Sequence, residues 1–176
     1  MSINKEKRPL AIITGASSGI GLASAKMFAD RGHPLLLLAR RLDAMEKLNL
    51  PNTLCKSVDV TDRKALVAAV QEAEAKFGPA DVIVNNAGVM LLGDATRQNP
   101  DEWDRMLDVN VKGLLNGIHA VSSRMVKRKH GTIINISSVA GRKTFANHVA
   151  YTATKFAVHG LSENLRENSL RMTCAS

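Results

Sequence analysis

Short apolar runs alternate along this chain with longer stretches in which apolar residues return every three or four positions. Leu10-Ala11-Ile12-Ile13, Leu35-Leu36-Leu37-Leu38 and Val82-Ile83-Val84 are runs of the first kind. Runs this short, flanked by Pro, Gly or Asn, predict strands buried on both faces. The pattern predicts strands over residues 10–14, 34–39, 53–58, 81–85 and 132–137, with a sixth over 170–174. The periodic stretches predict helices over 18–31, 42–48, 62–77, 101–129 and 151–167. In the first of these, Ile20, Leu22, Ala23, Ala25, Met27, Phe28 and Ala29 supply the apolar positions, and Gly32 marks the stop. Thr61 or Asp62 is placed to cap the helix that Phe77-Gly78-Pro79 ends. Strict strand–helix alternation predicts an α/β fold with a doubly wound parallel sheet, helices on both faces and right-handed crossovers. Ligands of such folds sit at the C-terminal strand ends, where the strand order reverses.

Composition narrows this picture. The chain has 176 residues, 45% of them hydrophobic, which suits one domain spanning residues 1–176. The apolar run at 35–39 is far too short to cross a bilayer. Lys5, Lys7 and Arg8 before Pro9 leave no apolar signal-peptide core. Cys55 and Cys174 are too few for a disulfide framework and read as small apolar residues. A cytoplasmic protein is expected. The formal net charge is +8, with much of the basic density in Arg124 and Lys127-Arg128-Lys129-His130. Those residues fall where a helix should end, so they complement its dipole, with Gly131 as the terminating residue. Aromatic residues make up only 3% of the chain, too few for a base-stacking platform. Neither a nucleic acid nor a membrane is expected as a partner. His33, His119, His130, His148 and His159 show no metal-ligand spacing, and no metal is expected.

Candidate chemistry lies in two places. Thr14-Gly15-Ala16-Ser17-Ser18-Gly19-Ile20-Gly21 joins the first strand to the first helix. A strand, a glycine turn and a helix N-terminus form an anion cradle, in which backbone N–H groups face a pyrophosphate. The spacing Gly-x-x-x-Gly-x-Gly differs from the commoner Gly-x-Gly-x-x-Gly and lacks the Gly-Lys-Ser/Thr ending of a triphosphate loop. Tight strand–helix packing alone would also explain any single glycine here. The second place is the sole tyrosine, Tyr151, with Lys155 four residues on and Ser138 thirteen residues before it. Residues four apart share a helix face. A cation about 4 Å from a phenolate favours the anion by roughly 4 kcal/mol at an effective dielectric near 20, which suits Tyr151 to general acid–base work. Ser138 would donate to a substrate oxygen as charge builds there. An ordinary buried tyrosine beside a snorkelling lysine would also satisfy the four-residue spacing.

The basic pair Arg40-Arg41 follows the second strand, where dinucleotide folds that select NAD carry an acidic residue. A guanidinium suits a 2′-phosphate, which predicts NADP(H) as cofactor. Asn110, in the middle of a helical pattern, needs a reason for its place: a kink with a satisfied side chain, or a role in a water relay.

Together, Thr14 to Gly21, Asn85-Asn86-Ala87-Gly88, Asn110, Ser138 and Tyr151-x-x-x-Lys155 resemble the motif set of the short-chain dehydrogenase/reductases, over residues 10–166. Residues 1–52 are also similar to a blue-fluorescent, NADPH-binding bacterial branch of that family. The resemblance implies a Rossmann-like fold and hydride transfer between a nicotinamide and a small-molecule alcohol or carbonyl. It implies Asn110, Ser138, Tyr151 and Lys155 as catalytic residues, with Asn110 organising a water relay. For the cofactor it implies Gly15, Ser17, Ser18, Gly19, Ile20, Gly21, Asp59, Val60, Asn86, Ala87, Gly88, Tyr151 and Lys155, with Arg40 and Arg41 at the 2′-phosphate. Asp59-Val60 looks like the pair that meets the adenine, though a loop aspartate before the next helix would look the same. Members of the family continue past the sixth strand with a substrate loop and a seventh strand, and commonly form dimers or tetramers. Two functional expectations follow, an NADP(H)-dependent oxidoreductase or an NADPH-binding, fluorescence-enhancing module with little turnover, and a cofactor-free scaffold is a third. Substrate selection is expected from residues 89–93 and 140–150.

Overall fold

The computed structural model describes residues 8–167 and 172–175. Six parallel strands form one sheet: β1 (Leu10–Thr14), β2 (Leu35–Ala39), β3 (Thr53–Ser57), β4 (Ala80–Asn85), β5 (Thr132–Ile136) and β6 (Met172–Ala175), in the spatial order β3-β2-β1-β4-β5-β6. The order reverses between β1 and β4. The helices are α1 (Gly19–Asp30), α2 (Leu42–Glu46), α3 (Arg63–Phe77), α4 (Pro100–Leu107), α5 (Gly113–Arg128) and α6 (Val149–Glu167). The link between α6 and β6 lies outside the described residues, as do residues 1–7 and the side chain of Cys174.

Apolar runs become strands here because both faces of the sheet are covered. Leu10 and Ile12 of β1, with Leu36 and Leu38 of β2, pack into the core beneath α3, α5 and α6. Ala11 and Ile13, with Leu35, Leu37 and Ala39, pack on the other face with Ala25 and Ala29 of α1 and Met45 of α2. All nine of these strand residues are buried, which removes the polar positions that would otherwise alternate along each strand. Cys55 packs, half-buried, against the α1–α2 side, and burial pushes its thiol up from the ordinary value.

The helix expected over residues 101–129 departs from the sequence reading in two ways. Residues 101–129 do not form one helix. They break into α4, a π-helical turn over Asp108–Lys112, and α5. A π-turn lets one extra residue into the helix without ending it, and the residue it displaces inward is Asn110. At the far end, the left-handed residue that ends α5 is Lys129, with φ 55° and ψ 29°, rather than Gly131. Gly131 is needed for another reason: a Cβ there would lie 2.5 Å from Met125 Cγ. The basic cluster is also not simply solvated. Arg124 pairs with Glu74 at 2.7 Å, and Arg128 donates to Ala80 O at 2.8 Å and Asp81 at 3.2 Å, tying α5 to the start of β4.

Asp62 caps α3 by accepting from Ala65 N at 3.0 Å, and Asn99 caps α4 by accepting from Asp101 N at 3.0 Å ahead of Pro100. Among the described residues, no helix is long and apolar enough to cross a membrane.

Candidate functional site

The glycine turn after β1 is built by contacts that only glycine permits. Gly15 and Gly19 sit at φ 65° and 55°, in the left-handed region that disfavours a side chain. A Cβ at Gly21 would lie 2.5 Å from Asn86 Nδ2, so the first turn of α1 can close on the β1 and β4 ends only with glycine there. Thr14 organises the neighbouring loop. Its hydroxyl donates to Val84 O at 3.4 Å and accepts from Asn86 N and Ala87 N, both at 3.0 Å. Asn86 Nδ2 in turn donates to Thr14 O at 3.0 Å and Gly15 O at 3.3 Å. The Asn85–Gly88 segment is thereby stitched to the glycine turn across the β1–β4 reversal. Thr14 was legible as the first residue of the turn, but its partners lie 70 to 73 residues away, so no local signal showed what its side chain does.

A cleft of about 810 Å³ opens over this junction. It is lined by Gly15, Ser17, Ser18, Gly19 and Ile20 of the turn, Arg40 and Arg41 after β2, Asp59 and Val60 after β3, and Asn86, Ala87 and Gly88 after β4. Ala39, Val58, Val89 and Val109 complete the wall. The sequence reading assigned Val89 to substrate selection and missed the other three, because small apolar residues beside a motif look like core. Gly21 packs closely against Gly15 O and Asn86 Nδ2 at the back of the turn. Arg41 reaches back to donate to Ser17 Oγ at 3.2 Å, so one guanidinium stands at the glycine turn. The Asp59 carboxyl is held below the usual carboxylate range, chiefly by the Thr61 amide donating to Oδ1 at 2.9 Å, with help from the Thr61 hydroxyl and the Arg40 and Arg105 charges. Its charge is therefore present at neutral pH.

Asn110, Ser138, Tyr151 and Lys155 lie beyond the lining of that cleft, at the ends of β4 and β5. Ser138 follows β5 and caps a 3₁₀ turn, Val139–Gly141, by accepting from Ala140 N at 3.2 Å. That bond uses an oxygen lone pair and leaves the hydroxyl proton to donate. Gly141 lets the turn press on α6, since a Cβ there would lie 2.6 Å from Ser137 Oγ and 2.7 Å from Lys155 O. Ser137 Oγ also donates to Lys155 O at 3.2 Å. Tyr151 and Lys155 share a face of the first turns of α6. The buried Lys155 Nζ lies 5.7 Å from the Tyr151 ring centroid and donates to Ile136 O at 3.0 Å.

Asn110 is buried in the π-turn, and its amide is fully engaged. Oδ1 accepts from Val89 N at 2.8 Å, while Nδ2 donates to Val89 O at 2.8 Å and Thr154 Oγ1 at 3.1 Å. Thr154 Oγ1 donates in turn to Tyr151 O at 2.7 Å. The side chain therefore pairs with Val89 as a neighbouring strand would, and joins that strap to the helix carrying Tyr151. Around Gly88 the pieces converge: a Cβ there would lie 3.3 Å from Asn110 Oδ1 and 3.9 Å from Lys155 Nζ. Beside Tyr151, the His148 ring packs at 6.2 Å between centroids, and Phe145 packs on His148 at 5.5 Å. Gly93 N donates to Asn147 O at 3.1 Å, joining the two segments expected to select substrate.

A doubly wound parallel sheet, a glycine turn facing a cleft at the strand-order reversal, and a Tyr–Lys pair beside a serine define a dehydrogenase-type fold. The family model for short chain dehydrogenases matches residues 9–173, and the chain belongs to that family. An uncharacterised oxidoreductase of Staphylococcus saprophyticus is 41% identical over 169 residues, spanning 94% of this chain and 69% of the relative. Among solved structures, serine dehydrogenase from Escherichia coli matches with a TM-score of 0.89 and 34% identity, over 94% of this chain and 80% of that one. The closed form of a serine dehydrogenase complexed with NADP+ matches with a TM-score of 0.87 and 34% identity, over 90% of this chain and 66% of that one. The chain is an oxidoreductase of the short-chain dehydrogenase type.

Proposed function

We propose that the protein is an NADP(H)-dependent oxidoreductase that interconverts an alcohol and a carbonyl. The observation that carries this reading is Arg41, which lines the cleft and bonds to Ser17 of the glycine turn. The residues present fit a phosphorylated dinucleotide. Gly15 and Gly19 hold the left-handed turn that would present the N-terminus of α1 to a pyrophosphate. Arg40 and Arg41 supply two cations where a 2′-phosphate would lie, and the NADP+ complex of a related chain supports that choice. Asp59 and Val60 would border the adenine, and Asn86 to Gly88 would border the nicotinamide half.

When bound, the nicotinamide would supply or accept the hydride. The remaining chemistry belongs to the chain. Tyr151 would give a proton to the carbonyl oxygen in reduction and take it back in oxidation. Lys155, buried beside the tyrosine ring, would place a positive charge next to Tyr151 and hold the ribose of the cofactor. Ser138 would donate its hydroxyl proton to the substrate oxygen, where negative charge builds. Asn110 would act as a positioning residue, holding Gly88 and Val89 beside Lys155, where a water relay would run. The substrate would be a small molecule received between residues 89–93 and 140–150.

The test is a titration of the purified protein with NADPH and NADH, following Trp103 and nicotinamide fluorescence. NADPH-selective binding supports the reading, and equal affinity for both removes the role given to Arg40 and Arg41. Binding of neither overturns it.

A further inference from the structure

We infer that Asn116, which lies outside the cleft, is a positioning residue for the loop that forms the cleft's adenosine end; the inference rests on the dinucleotide reading above. Asn116 sits on α5 with no exposed surface. Its Nδ2 donates to Val60 O at 2.8 Å and Thr61 O at 3.3 Å. Its Oδ1 accepts from Arg63 Nε at 2.9 Å. The amide thus spans the end of the β3 loop and the first residue of α3.

One turn earlier on α5, a Cβ at Gly113 would lie 2.6 Å from Val60 Cγ2, so helix and loop touch there without a side chain between them. Two successive turns of α5 therefore converge on Val60, whose neighbour Asp59 faces the cleft with it.

Packing alone does not call for this residue. A buried asparagine in mid-helix has poor propensity, and leucine has the same branched shape without the polar atoms. The amide is what the loop needs. The Val60 carbonyl is buried against α5, and without a donor it would be left unpaired. Relieving that cost requires the loop to move, and its outer face is the wall of the cleft. Asn116 thus sets where Asp59 and Val60 stand without touching a ligand itself. The effect is local to one end of the cleft, because Asn116 has no bond to the glycine turn, to Ser138 or to α6.

The test uses three ligands: NADPH, adenosine 2′,5′-bisphosphate for the adenosine half, and reduced nicotinamide mononucleotide for the other half. In Asn116→Leu, the dissociation constants of NADPH and of the bisphosphate should rise roughly tenfold, the effect of about one net hydrogen bond, while that of reduced nicotinamide mononucleotide stays unchanged. Arg63→Ala, which removes only the donor to Oδ1, should reproduce two- to threefold of that rise with the same ligand selectivity, and covers the case in which the leucine variant does not fold. A merely structural role would lower the melting temperature and leave all three constants alone. That result, or an equal rise for all three ligands, would overturn the inference. Wild-type protein that binds neither NADPH nor the bisphosphate overturns the dinucleotide reading and this inference with it.

Discussion

At the scale of single residues, the site depends on a few side chains whose protons are placed rather than merely present. Ser138 spends a lone pair on Ala140 N and keeps its proton for another oxygen. Tyr151 has a cation held beside its ring by the Ile136 carbonyl. Tyr151→Phe removes only the hydroxyl, so turnover should fall by about 10²- to 10⁴-fold, the usual worth of a general acid–base group. NADPH affinity should hold, and steady-state rates with a parallel fluorescence titration check both. If Arg41 holds a 2′-phosphate, Arg41→Ala removes a charge-assisted contact worth roughly 1.5–3 kcal/mol. The dissociation constant for NADPH should rise about ten- to a hundredfold and that for NADH little, measured by the same titration. Tyr151, Lys155 and the arginines were legible as residue types at fixed spacings. The role of Thr154 was not, because a threonine declares nothing until a partner such as Asn110 arrives from another element.

At the scale of elements, caps and breaks decide where each side chain points. Asp62 accepts from Ala65 N and starts α3 directly after the loop of Asp59 and Val60. Asp62→Ala should cost about 0.5–2 kcal/mol, as for other N-caps. For a chain of this size each kcal/mol is roughly 2–4 °C, a loss that a thermal melt followed by circular dichroism would detect. The π-turn is the clearest departure from the sequence pattern. Hydrophobic spacing over residues 101–129 fits one helix, yet Asn110 bonds to Val89, 21 residues away, and to Thr154, 44 residues away. Those bonds reward an inward Asn110 by more than an unbroken helix would, and the extra residue of the π-turn allows it.

At the scale of the whole molecule, the reversal of strand order between β1 and β4 creates the cleft. Loops after β1, β2, β3 and β4 meet there, while Ser138 and the start of α6 stand next to it. A ligand that spans those loops binds only the folded chain, so it should stabilise that chain by mass action. NADPH at 100 times its dissociation constant contributes about 2.7 kcal/mol, or roughly 5–10 °C in melting temperature at this chain length. NADH at the same concentration should give a smaller shift if Arg40 and Arg41 hold a 2′-phosphate. Paired differential scanning calorimetry would measure the two.

The sequence by itself determined the strand–helix alternation, because apolar runs of strand length have few places to go except a sheet covered on both faces. It also determined the chemistry on offer, because a glycine-bearing turn, a Tyr–Lys pair one helical turn apart and a basic pair after β2 are local patterns. Only the tertiary structure decided which of those residues meet. It packed Gly21 against Asn86, assigned the α5 terminus to Lys129 and turned Asn110 inward. It also set Asn116 against a loop 56 residues away. The physical reason is the same in each case. A buried polar atom must find its partner somewhere in the fold, and local spacing carries no record of a partner that tertiary packing brings from a distant element.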